Sequence, residues 1–141
     1  MTSRSTHWAA ALIGKPWRSA ARGPREYSCW ALAQRAVFLR QGLQLPDFDN
    51  EESIGAIRRG AETGGWRLVD GPPIEDDVVV MRNRLGQRHV GYMVIANGRL
   101  GLLHADGHET SKGPVGCVVW QTLADATAGG YHDFEVWRHT T

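Results

Sequence analysis

Cysteine is scarce here: the 141 residues contain only two, Cys29 and Cys117, far apart in the chain. They make no disulfide framework, and each reads as a free thiol of a protein made in a reducing compartment. Charge of one sign is also lacking. Sixteen Lys and Arg against 15 Asp and Glu leave a formal net charge of +1, with no basic run. The electrostatic footprint of nucleic-acid binding is therefore missing, and no nucleic-acid partner is expected. No apolar run is long enough to span a bilayer, so no membrane insertion is expected. The short stretch Trp8-Ala9-Ala10-Ala11-Leu12-Ile13 is closed at once by Gly14-Lys15-Pro16. It reads as part of the fold and not as a signal peptide. Repeats, linkers and low-complexity segments are absent, and the length suits one domain, residues 1–141.

What is present falls into helices first and strands afterwards. Ser5 or Thr6 can cap a helix through Ile13, stopped by Gly14 and Pro16. Ser28 is a good cap for a second helix running to Arg40 and ended by Gly42. There Leu32, Ala36 and Leu39 share a face, Trp30, Ala33 and Val37 flank it, and Gln34, Arg35 and Arg40 point outwards. A third helix is expected from Asn50, with Glu51 and Glu52 in its first turn and Arg58 and Arg59 in its last, matching the helix dipole. After Gly64-Gly65 the pattern turns β-rich, with strands expected at 66–69, 78–82, 89–96, 100–104, 115–120 and 134–138. Asn97-Gly98 is a strong hairpin signal between two of them. Helices followed by an antiparallel meander make an α+β fold.

The chemistry centres on Cys29, at the start of the second helix. The positive end of the helix dipole and the open N–H groups of the first turn favour a thiolate there, and the N–H of Cys29 itself can serve an oxyanion. His89 is the base candidate, resting with Cys29 as an imidazolium–thiolate pair. His104 is the residue to orient it, because the Asn97-Gly98 turn returns the chain beside His89. Taken alone, Cys29 reads first as a buried core thiol, the commonest fate of a free cysteine, and His104 can be read as a satisfied strand histidine. His104, His108 and Cys117 fit no common zinc spacing, and Ala105-Asp106-Gly107 reads as a turn, so neither metal nor cofactor is expected.

Five segments, in order, carry a family resemblance: Ile13-Gly14-Lys15-Pro16-Trp17, Tyr27-Ser28-Cys29-Trp30-Ala31-Leu32, Asp77-Val78-Val79-Val80-Met81, His89-Val90-Gly91-Tyr92-Met93 and Leu102-Leu103-His104-Ala105. Together with the closing Glu135-Val136-Trp137-Arg138 they resemble the NlpC-type cell-wall cysteine peptidases, above all their phage-tail members. The resemblance implies a circularly rearranged papain-like core, with the nucleophile helix packed on an antiparallel sheet. It implies Cys29 as nucleophile, His89 as base and His104 as orienting group. Trp17, Tyr27, Ser28 and Trp30 are implied as substrate contacts. Ser28 stands where members commonly carry Asp, and Trp17 where they commonly carry Tyr. The implied activity is thiol-dependent endopeptidase cleavage of peptidoglycan stem peptides. The implied setting is a phage tail tip with tail-hub partners, made in the bacterial cytoplasm and acting in the periplasm or wall. A structural tail-tip subunit and a secretion-system amidase or acyltransferase on the same scaffold are the alternatives.

Overall fold

The computed structural model describes residues 7–45 and 64–140. Among these residues there are two helices and one six-stranded antiparallel sheet, an α+β arrangement as expected. Helix α1 is Cys29–Gln41 and helix α2 is Leu123–Ala128. The strands are β1 Trp66–Val69, β2 Val78–Arg82, β3 Arg88–Ala96, β4 Arg99–Thr110, β5 Gly113–Gln121 and β6 His132–His139. Their spatial order is β1-β6-β2-β3-β4-β5. Strands β2 to β5 form the expected meander, whereas β6 returns from beyond α2 to lie between β1 and β2. Strand alternation divides the core between the two faces of the sheet. Val78, Val80, Val90, Tyr92, Leu103 and Ala105 pack with α1, and Val79, Met81, Met93 and Leu102 pack with Ala126 and Tyr131.

Local chemistry explains α1. Ser28 is its N-cap, accepting the Ala31 N–H on Oγ at 3.2 Å, and Gly42 closes it in the left-handed conformation at φ 69°. Its buried stripe is shorter than expected. Leu32, Ala36 and Val37 are buried, but Leu39 is 43% exposed. The chain enters α1 through a strap laid along the open edge of β5. Gly14 N–H donates to Val118 O, Val118 N–H to Lys15 O, and Trp17 N–H to Gly116 O.

That strap corrects the expectation of a first helix ending at Ile13. Residues 8–14 are successive turns, with bonds from Ala10 N–H to His7 O and from Leu12 N–H to Ala9 O. Edge pairing with β5 competes with helix continuation and wins. The cap candidates Ser5 and Thr6, and the expected helix from Asn50 to Arg59, lie outside the described residues. A second correction concerns Ala105-Asp106-Gly107, which is not a turn but the middle of β4. The chain reverses later, where Thr110 Oγ1 donates to Gly113 O and accepts from Lys112 N–H. Asn97-Gly98 makes the β3–β4 turn as expected, both residues at positive φ (52° and 74°).

Candidate active site

Cys29 is the first residue of α1 and 1% exposed. The first turn holds no acidic residue, so nothing on the helix itself opposes the dipole at the sulfur. His89 comes from the start of β3 and His104 from β4. The β3–β4 ladder runs from Ala96/Arg99 to Tyr92/Leu103, so both histidines stand just beyond its last rung. Their rings meet there, His89 Nε2 lying 2.7 Å from His104 Nδ1. Gly91 makes the approach possible: a Cβ at that position would sit 3.1 Å from Cβ of His104 and 2.6 Å from Cδ1 of Leu102. The pair is buried, His89 at 6% and His104 at 0% exposure.

Cys29 and His89 line one cleft of about 300 Å³. Trp17, Ser19, Arg88, Gly107, His108 and Glu109 complete much of its wall, and the β2–β3 turn overhangs it with Asn83, Leu85 and Gln87. That turn is braced by Asn83 Oδ1, which accepts from the N–H groups of Leu85 and Gln87 at 3.0 and 2.9 Å. Trp17 packs directly against Gly107, where a Cβ would come within 2.4 Å of its ring.

Of the four expected substrate contacts, the structure brings only Trp17 to this cleft. Tyr27, Ser28 and Trp30 are buried at 3%, 6% and 4% exposure. Tyr27 packs on Gly23, Ser28 turns its hydroxyl to the helix backbone as a cap, and Trp30 belongs to the core under α1. Cys117 is a free thiol on β5, where Pro16 forms a bridge with it. Asp77, the acidic residue of the third segment, is a structural anchor. It is 1% exposed and takes a paired hydrogen bond from Arg138 at 2.7 and 2.8 Å, plus the Ile74 N–H at 2.8 Å.

Three residues that sequence reasoning missed surround the histidine pair. Tyr131 stacks on His89 (centroids 4.8 Å apart, 30°) and meets His104 edge-on (5.2 Å, 85°). Its hydroxyl donates to Asp106 Oδ1 at 2.6 Å. Gln121 Oε1 lies 2.8 Å from His104 Nε2. The Thr122-Leu-Ala-Asp125 cap was a legible signal for α2, with Thr122 Oγ1 accepting from Asp125 N–H at 3.1 Å. It would have placed Gln121 at a strand end and Tyr131 just after a helix.

Burial is the main influence on protonation. It pushes His89 well below the ordinary imidazole value, and the neighbouring His104 adds to the effect. Burial lowers His104 as well, opposed by the hydrogen bond to Gln121 and the charge of Asp106. Tyr131 moves upward, chiefly through burial and then through its bond to Asp106. Burial thus works against the resting imidazolium expected of His89 and favours its neutral form. A neutral His89 is a base able to accept a proton, in a cleft that it shares with the Cys29 thiol.

Neither models of known protein families nor curated proteins give a significant match to this chain.

Proposed function

We propose that this protein is a thiol-dependent hydrolase of NlpC type with a papain-like core, cutting amide bonds in peptidoglycan stem peptides. The observation that carries the proposal is the buried His89–His104 contact at 2.7 Å beside a cleft that His89 shares with Cys29, the first residue of a helix. The order nucleophile helix, base strand, orienting strand supports the same reading, as do the matched segments around each residue.

In the reaction, His89 removes the Cys29 proton as the sulfur attacks the substrate carbonyl. The resulting imidazolium gives that proton to the departing amine, leaving a thioester on Cys29. His89 then takes a proton from water, hydroxide adds to the thioester, and the thiol is regenerated as the acid leaves. His104 holds the His89 ring in place and disperses the transient charge. The dipole of α1 favours negative charge on the sulfur during attack. Trp17 and Leu85 offer apolar surface to the peptide, and Arg88, His108 and Glu109 offer polar partners. Delivery by a phage tail tip, with tail-hub proteins as partners, follows the phage-tail resemblance of the segments.

A second reading draws on the burial of Cys29: a structural tail-tip subunit in which catalysis is dispensable. Mass spectrometry of purified muropeptides after incubation with wild type and with Cys29→Ala separates the two. New stem-peptide fragments from wild type alone identify the bond and support hydrolysis. Transfer products point to an acyltransferase on the same scaffold, and no thiol-dependent product from any wall type leaves the structural reading.

A further inference from the structure

His89, His104 and Gln121 form a line of three side chains, with contacts of 2.7 Å between His89 Nε2 and His104 Nδ1 and 2.8 Å between His104 Nε2 and Gln121 Oε1. Between two neutral imidazoles a single proton makes the hydrogen bond, and the partner at the far end decides which ring supplies it. An amide oxygen only accepts. Facing it, His104 carries its proton on Nε2, and its Nδ1 is a bare lone pair. That lone pair accepts the proton of His89 Nε2, which leaves His89 bare at Nδ1. We propose that Gln121 is a positioning residue that selects the tautomers of His104 and, through it, of His89, so that His89 presents a basic nitrogen. The proposal rests on the hydrolase reading for its catalytic meaning.

The direction of the chain matters. With an N–H in place of the Gln121 oxygen, His104 would donate to His89, and His89 would carry its proton on Nδ1, unable to take one from a thiol. Gln121 suits the task because it ends β5 and stands opposite Leu102 in the β4–β5 ladder, on rigid backbone. The pair is buried, so bulk water does not set the tautomers. Titratable groups near the pair include Asp106 on β4, Tyr131 before β6 and Cys29 on α1, with Arg88, His108 and Glu109 along the cleft beside His89; Asp106 already accepts from Tyr131.

Imidazole nitrogen NMR of the full chain at about pH 8, where ordinary histidines are neutral, reads the tautomers directly. Muropeptide hydrolysis reads their consequence. In wild type both His89 and His104 are expected to carry the proton on Nε2. Gln121→Leu should mix the tautomers and lower kcat about 10–100-fold with KM little changed. Gln121→Glu, which can only accept, should keep both protons in place and most of kcat. A wild type with His89 protonated on Nδ1 overturns the proposal, whichever variants fold. So does a Gln121→Leu protein with unchanged tautomers and kcat. Expected tautomers without any muropeptide cleavage would sink the hydrolase reading and leave the tautomer selection supported.

Discussion

At the residue scale the proposed mechanism distributes the work of the site unequally, and substitutions should reveal that. His89→Ala deletes the only base proposed, so nearly all turnover should go. His104→Ala removes orientation and leaves the base, for a loss of about 100-fold in kcat, and Asn or Gln at that position should restore part of it. Equal losses at both positions in steady-state hydrolysis would contradict these roles. The pH profile is a separate check. In the proposed mechanism the active form of His89 is neutral, and burial followed by the influence of His104 lowers its pKa from 6.5. The acid limb of kcat/KM should therefore fall below pH 6.5, with activity still high at about pH 6. An acid limb above 6.5 would mean that the imidazolium is favoured after all. That Cys29 begins a helix and that His89 and His104 stand in consecutive strands was legible from the cap and turn signals, whereas the roles proposed for them came from the family resemblance. The contacts of Gln121 and Tyr131 were not legible, since they join the histidine rings to segments distant in sequence that no local pattern relates.

At the element scale, α1 shows how the same residue can be read in two ways. Ser28 occupies a position that the family resemblance links to substrate, yet its hydroxyl caps the helix. Ser28→Ala should cost about 1 kcal/mol of stability, as lost caps do, and leave KM unchanged. Urea unfolding gives the first quantity and hydrolysis kinetics the second; a raised KM at unchanged stability would restore the substrate role. The boundaries of α1 and the Asn97-Gly98 turn were readable because caps and turns are local chemistry. The strap over residues 14–17 and the full length of β4 were not. In both, long-range pairing with β5 overrides local signals: Gly14 and Pro16 look like a helix stop, and Asp106-Gly107 looks like a turn, yet β5 bonds Gly14, Lys15 and Trp17 of the strap and pairs with Asp106 and Gly107. Gly107 is small so that Trp17 can lie on it, which no turn rule would suggest.

At the scale of the whole molecule, two neutral histidines buried together tie stability to pH. Both are lowered relative to 6.5 in the fold, so in the interval below 6.5 the unfolded chain binds more protons than the folded one. Stability is complete above pH 6.5 and falls as pH drops through that interval, before ordinary carboxylates begin to titrate. Melting temperatures between about pH 7 and pH 5 should decline accordingly. A double His89→Gln, His104→Gln variant should lose most of that slope; an unchanged slope would assign it to other groups. The central claim, that Cys29 is a nucleophile served by His89, is tested most directly by trapping the thioester. Wild type incubated with purified stem peptides is quenched in acid, and the acyl group is mapped by mass spectrometry. The account predicts an adduct on Cys29, far less of it in His89→Ala, and none on Cys117. Stem-peptide cleavage with no adduct on Cys29, or with the adduct on Cys117, would contradict it.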